Sequence, residues 1–206
     1  TRVLRVSITV PGSDWLTLLG CTRSRVPRAT PTPPVDVAAT LVVDGVTVTD
    51  VGVRCKGNSS LNISGTKKPL NVSTDSFVPG QELWGIDVIN LNNNWSDPSQ
   101  LREAIALRLM AEYQPVSRFA FARVTMNGKY LGLYTLVEQV NGEWADHWYP
   151  DDGGTIIKGD SPVRIAFNSS TLNWQGESLD AYEQDYEVKG SAARSVLGYE
   201  ALRELT

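Results

Sequence analysis

Apolar and polar residues alternate at Leu4, Val6, Ile8 and Val10, the period of a strand with one buried face, and Pro11-Gly12 ends the run. Residues 14–19 predict a helical turn. The stretch 23–34 is rich in Pro, Arg and Thr, cannot sustain helical hydrogen bonds, and predicts a surface loop. Two apolar runs, 37–43 and 46–53, flank Asp44-Gly45, a pair suited to the positive φ angles of a tight primed turn. They predict a hairpin whose second strand continues through Arg54-Cys55-Lys56 until Gly57-Asn58-Ser59-Ser60 breaks it. Leu70 and Val72 alternate with polar neighbours over 69–73, and 86–91 is a short β-branched apolar run; both predict strands.

Asp97-Pro98 predicts a helix start, because Asp caps open amides and Pro at the first position loses no hydrogen bond. The helix is expected to reach Glu112, burying Leu101, Ala104, Ile105 and Leu109, with Arg102 bordering that stripe and Glu103 pointing elsewhere. A second hairpin follows over 119–126 and 130–139, joined by Asn127-Gly128. Beyond Glu143 the pattern weakens. Trp144, His147 and Trp148 fall in a short helical segment, 155–158 predicts a strand, 161–177 a polar loop and 191–205 a last helix. Strands, one main helix, then strands again predict an α+β fold.

With 206 residues, 41% hydrophobic and 20% charged, the chain is able to bury one sizeable core. A net charge of -4 argues against a nucleic-acid partner, whose binding needs clustered Lys and Arg. The cluster Arg23, Arg25, Arg28 reads as a solvated loop or a local anion site. No run approaches the roughly 18 apolar residues of a membrane span. Cys21 and Cys55 are too few for a disulfide scaffold and wrongly spaced for zinc, leaving either one disulfide in an exported protein or two buried thiols. Asn-x-Ser triplets begin at Asn58, Asn62, Asn71 and Asn168. Thr1 opens within strand-like sequence, as in a trimmed chain.

Several ordered blocks resemble one family. Val51-Gly52-Val53-Arg54-Cys55-Lys56-Gly57-Asn58-Ser59-Ser60 is followed by Lys67-Lys68-Pro69-Leu70, then by Leu91-Asn92-Asn93-Asn94-Trp95-Ser96-Asp97-Pro98 and Leu101-Arg102-Glu103. Gly128-Lys129-Tyr130-Leu131-Gly132-Leu133-Tyr134, Val137-Glu138-Gln139-Val140 and a looser Lys158-Gly159-Asp160 complete the series. Together they resemble the CotH kinase family, spore-coat-protein-H-like atypical protein kinases. The resemblance implies a protein-kinase-like small lobe, an antiparallel sheet with one main helix, over 1–140, and the start of a larger lobe over 141–206. It implies ATP and Mg as cofactors and a Ser-containing protein of a spore coat, cell surface or secreted setting as substrate. The metal-binding and catalytic aspartates of that family are expected downstream of Thr206, since Asp180 and Asp185 match neither motif. A noncatalytic coat or surface module that binds proteins is the alternative.

Phosphoryl transfer rests on positioning and charge neutralisation, so cations, backbone amides and an orienting carboxylate are the groups to seek. Lys56-Gly57-Asn58-Ser59-Ser60 offers a cation, a permissive Gly and side-chain donors, which suits a phosphate cradle or an ordinary polar turn. Of Lys67 and Lys68, Lys68 is the candidate for the α and β phosphates, with Glu103 as its orienting carboxylate. Arg102 is a second phosphate contact or a salt bridge to the sheet; about 100° around the helix from Glu103, it is not expected to share a ligand with it. Glu138 ends the last strand where backbone groups would read an adenine edge, and Asp160 meets the ribose or lies in a plain turn. His147 is the only histidine and has no Ser or Cys elbow near it, which argues against a hydrolase triad; no Gly-x-x-x-x-Gly-Lys-Ser/Thr loop is present.

Overall fold

The computed structural model describes residues 2–22, 35–57, 59–149, 154–159, 170–189 and 192–206, with the side chains of 192–195 left aside. The Arg23, Arg25, Arg28 cluster, Asn58, Asp160 and Asn168 lie outside the described residues. The chain divides into two compact units, 1–144 and 145–206.

The first unit is a closed barrel. Its strands are β1 (Val3–Thr9), β2 (Val37–Val43), β3 (Val46–Cys55), β4 (Leu70–Ser73), β5 (Val88–Asn92), β6 (Phe119–Met126) and β7 (Lys129–Glu138). They run in the order β1-β2-β3-β4-β5-β7-β6, and β6 returns to β1. All pairs are antiparallel except β1 with β6, where Val3 to Ile8 lie beside Phe121 to Met126 in parallel. Alternate residues point inward, so Val6, Ile8, Leu41, Val43, Val53, Leu70, Val72, Ile89, Leu91, Val124, Met126 and Tyr134 fill one core.

The two primed turns form as the sequence predicts, with Asp44 and Gly45 at φ 48° and 91° and Asn127 and Gly128 at 48° and 76°. Their side chains also close the barrel. The Arg5 amide donates to Asp44 Oδ1 at 2.9 Å on one edge of β1, and the Val10 amide donates to Asn127 Oδ1 at 2.9 Å on the other. Cys21 and Cys55 form a disulfide with Cα atoms 5.1 Å apart, resolving the alternatives left open for them and tying the segment after helix α1 (Trp15–Leu18) to the end of β3. Closing 34 residues of chain stabilises the fold by about 4 kcal/mol on a chain-entropy account.

The protein-kinase-like small lobe expected from the resemblance is overturned. Seven strands close on themselves with mixed pairing, and the helices are few and short. Alternation reports one buried face, and a sheet that curls round to cover its own face gives the same pattern as one covered by a helix. Helix α2 (Arg102–Met110) shows the consequence. The expected buried stripe is mostly solvent-facing: only Ala104 is buried, while Leu101, Ile105 and Leu109 are 45%, 52% and 60% exposed. The barrel core is already filled by strand residues, so α2 has no apolar face to complete. The helix also starts later than expected, at Arg102 rather than Pro98: Leu101 is its N-cap and receives no side-chain capping bond, while Asp97 lies in the preceding turn and accepts the Ser99 amide on Oδ1 and the Arg102 amide on Oδ2.

The second unit contains a two-stranded antiparallel sheet of β8 (Ile156–Gly159) and β9 (Tyr186–Lys189), with α4 (Leu179–Glu183) and α5 (Ala192–Leu205). Tyr182, Tyr186, Val188, Tyr199 and Leu202 form its core. The short helix α3 (Gly142–Trp148) spans the division. No helix among the described residues is long and apolar enough to cross a membrane.

Candidate functional site

Beyond Cys55 the chain leaves the barrel, and Lys56 lies on the face opposite the core, beside the outward residues of β5. There a cleft of about 350 Å³ opens, lined by Lys56 and Ser60, by the run Asn92 to Asp97, and by Arg102 and Glu103 at the start of α2. Gly57 shapes one wall: its φ of 88° is the left-handed region, and a Cβ there would strike Ser60 Oγ. Ser60 sits on a short 3-10 turn, Ser59–Asn62.

Lys56 is held by amides. Its Nζ donates to Asn90 Oδ1 at 2.8 Å and to Asn92 Oδ1 at 3.1 Å. Asn92 Nδ2 in turn donates to Glu103 Oε1 at 2.7 Å, so a neutral side chain links cation and carboxylate. Burial lowers the Lys56 pKa to about 8; Glu103 opposes that shift and Arg54 adds to it. Burial raises the pKa of Glu103, against the Asn92 hydrogen bond and the Lys56 charge.

The far wall is the turn before α2. Asn93 Nδ2 donates to the carbonyls of Ser60 and Lys67 at 3.1 and 3.0 Å, pinning the floor. Asn94 and Ser96 adopt φ of 53° and 58°. Asn94 Oδ1 accepts from Thr135 Oγ1 at 2.9 Å, while its Nδ2 is buried with no partner among the described residues. Trp95 is half-exposed at the rim. Arg102 donates to the Ser96 carbonyl at 3.3 Å and pairs with Asp97 at 3.6 Å. Asp97 is held below its ordinary pKa, first by the Ser99 hydroxyl and then by the Arg102 amide and charge.

Of the candidates read from sequence, Lys56, Ser60, Arg102 and Glu103 meet in this cleft. Arg102 and Glu103 do share it despite their angular separation, because the cleft wraps round the first turn of α2 and Arg102 folds back onto Ser96 and Asp97. Lys68 is elsewhere: it is buried, and its Nζ donates to the carbonyls of Leu61 and Ile63 at 3.0 and 2.5 Å. Glu103 therefore reaches Lys56, through Asn92, rather than Lys68. Ser59 is exposed and outside the lining. Glu138 is buried in a bidentate pair with Arg118, Oε1 at 2.5 Å from Nη2 and Oε2 at 3.0 Å from Nε, which fastens the start of β6 to the end of β7. The amides Asn90, Asn92 and Asn94 and the rim residues Trp95 and Asp97 were not singled out as site residues from sequence. For all of them but Asn90, the signal is the polar run Asn92-Asn93-Asn94-Trp95-Ser96-Asp97 itself; Asn90 alternates with Leu91 on a strand and carries none.

A comparison with curated proteins finds no match. The family model described as CotH kinase protein matches residues 53–199, more than two thirds of the chain, and the matched stretch contains every residue that lines the cleft. The chain belongs to the CotH kinase family.

Proposed function

We propose that the cleft binds the phosphates of ATP and that the protein acts as a CotH-type, ATP-dependent protein kinase on serines of coat or surface proteins. The observation that carries this is the Lys56 cation, half-buried and fixed by two amides beside Arg102 and Ser60, a set of donors lining one cleft. Half-exposed Trp95 offers an aromatic ring for a base. Mg would accompany the nucleotide; among the described residues no group of three or more His, Cys, Asp or Glu is arranged to hold a metal ion. The Cys21–Cys55 disulfide supports a secreted or surface setting. Thermal unfolding with and without ATP and Mg tests this: the melting temperature should rise with nucleotide, and Lys56→Ala should abolish the rise. Absence of any rise in the unmodified protein overturns it.

The second reading, a noncatalytic coat or surface module, is favoured by one feature. Leu101, Ile105, Leu109 and Met110 leave an apolar stripe of α2 in solvent, as a protein-binding face would. Binding to coat or wall extracts that survives Lys56→Ala but is lost on Ile105→Asp supports that reading.

A further inference from the structure

An ammonium has three N–H donors, and for Lys56 two are committed, at 2.8 Å to Asn90 Oδ1 and at 3.1 Å to Asn92 Oδ1. The orientation of each amide is settled from its other end. Glu103 is an acceptor when ionised, so the Asn92 nitrogen must face it at 2.7 Å and the Asn92 oxygen must face Lys56. Gln139 directs its own nitrogen to the Val140 carbonyl at 3.3 Å, which leaves its oxygen to accept from Asn90 Nδ2 at 2.8 Å and turns the Asn90 oxygen to Lys56. Asn71 Nδ2 also donates to that oxygen, at 3.1 Å. The chain Gln139, Asn90, Lys56, Asn92, Glu103 thus has one direction only.

We propose that Asn90 and Asn92 are positioning residues which hold Lys56 by neutral acceptors, so that its remaining N–H and its uncancelled charge meet an anionic ligand oxygen. This rests on the phosphate-binding reading of the cleft. A carboxylate in the place of either amide would hold the ammonium as firmly but would cancel its charge and raise its pKa. The charged groups around Lys56 are Arg54 on its own strand, Glu103 and Arg102 on α2, and Asp97 before α2; β4 and β5 offer the neutral amides of Asn71, Asn90 and Asn92, and Gln139 follows β7. Burial is what lowers the Lys56 pKa to about 8, and neutral acceptors, unlike a carboxylate, do nothing to reverse it.

The test begins with the protein alone. In a 13C-lysine-labelled chain, the Lys56 resonance, identified by its loss in Lys56→Met, should titrate near pH 8, and Asn90→Asp should raise that midpoint by about one pH unit or more. Asn92→Asp is the second variant, should either fold poorly. Calorimetry with ATP and Mg follows. Asn90→Leu should weaken binding at pH 7 by about tenfold, the loss expected when one hydrogen bond that orients a charge is removed. Affinity of the unmodified protein should fall between pH 7 and 9, with that fall moved to higher pH in Asn90→Asp. An unchanged Lys56 midpoint in both Asp variants overturns the clamp whatever the nucleotide does. A shifted midpoint in a protein that binds no nucleotide at any pH upholds the clamp's control of Lys56 and sinks the phosphate reading instead.

Discussion

The same three strands carry two chemistries on opposite faces. Inward, Val53, Cys55, Leu70, Val72, Ile89 and Leu91 join an apolar core; outward, between those residues, stand Arg54, Lys56, Asn71, Asn90 and Asn92. Both faces are largely buried, yet burial does different things. Inside, it stabilises in proportion to the apolar area removed from water, at about 25 cal/mol per Å². Outside, each buried polar group needs a partner: Asn71 Nδ2 donates to Asn90 Oδ1, with the two residues at 3% and 7% exposure beside a half-buried cation, while Asn71 Oδ1 is left without a partner among the described residues. The inner face makes the fold, and the outer face spends part of that stability on a charge.

Leu91→Ala should separate the two most sharply. It removes a fully buried side chain between Asn90 and Asn92, and about 3 kcal/mol of stability should be lost in chemical denaturation. Lys56 should still titrate near 8 in the folded fraction, because no group that holds it changes. A Lys56 midpoint that follows the stability loss would show that the two faces are not independent.

Much of the inner face was legible in the sequence, since alternation and turn pairs are local signals: the hairpins at Asp44-Gly45 and Asn127-Gly128 formed where expected. Closure was not legible. It depends on the parallel pairing of β1 with β6, whose partners, such as Val6 and Val124, lie more than a hundred residues apart, and nothing local encodes that meeting. The exposed stripe on α2 followed from the same omission. At the cleft, cations and carboxylates attract notice by type, so Lys56, Arg102 and Glu103 were singled out, whereas an Asn on a strand carries no mark of what it holds. Lys68 and Glu138 show the limit from the other side, because a charged type in a family block is equally the type that fastens two backbone segments.

Lys56 itself gives the next largest effect, through pH. Its pKa is about 8 in the folded protein against 10.5 for the ordinary side chain, so between those values the unfolded chain binds more protons and stability must rise with pH. This contribution is fully present above 10.5 and lost as pH falls to 8, amounting to about 2 kcal/mol once partial solvent access is allowed for. Subtracting the stability curve of Lys56→Met, which lacks the group, should isolate that rise between pH 8 and 10.5. If the cleft binds phosphate as proposed, ATP affinity should move the opposite way across the same titration, because the charge whose loss stabilises the fold would be the charge that attracts the phosphate. Parallel movement of the two would place Lys56 outside the binding interaction.

Lys68→Met should cost about 1–2 kcal/mol by leaving the Leu61 and Ile63 carbonyls without their donor, and should leave nucleotide affinity per folded molecule unchanged. The pair of lysine variants thus divides a fastening role from a presenting one: Lys68→Met lowers the melting temperature alone, Lys56→Met alters the pH profile and the binding.

Glu103→Gln is the smallest change and the finest cut. The amide retains an oxygen to accept from Asn92 Nδ2, so the geometry of the clamp should persist. What goes is the charge, which opposes the burial of Lys56 and holds its pKa up. The Lys56 midpoint should therefore fall below that of the unmodified protein, by a fraction of a pH unit because Asn92 stands between the two groups. ATP affinity should then match the unmodified protein at pH 6.5, where Lys56 is charged in both, and drop modestly below it at pH 8, where the charged fraction of Lys56 is smaller in the variant. Equal loss at both pH values would instead make Glu103 a group the ligand touches, and the carboxylate would belong to the cleft's contact surface rather than to the field around its lysine.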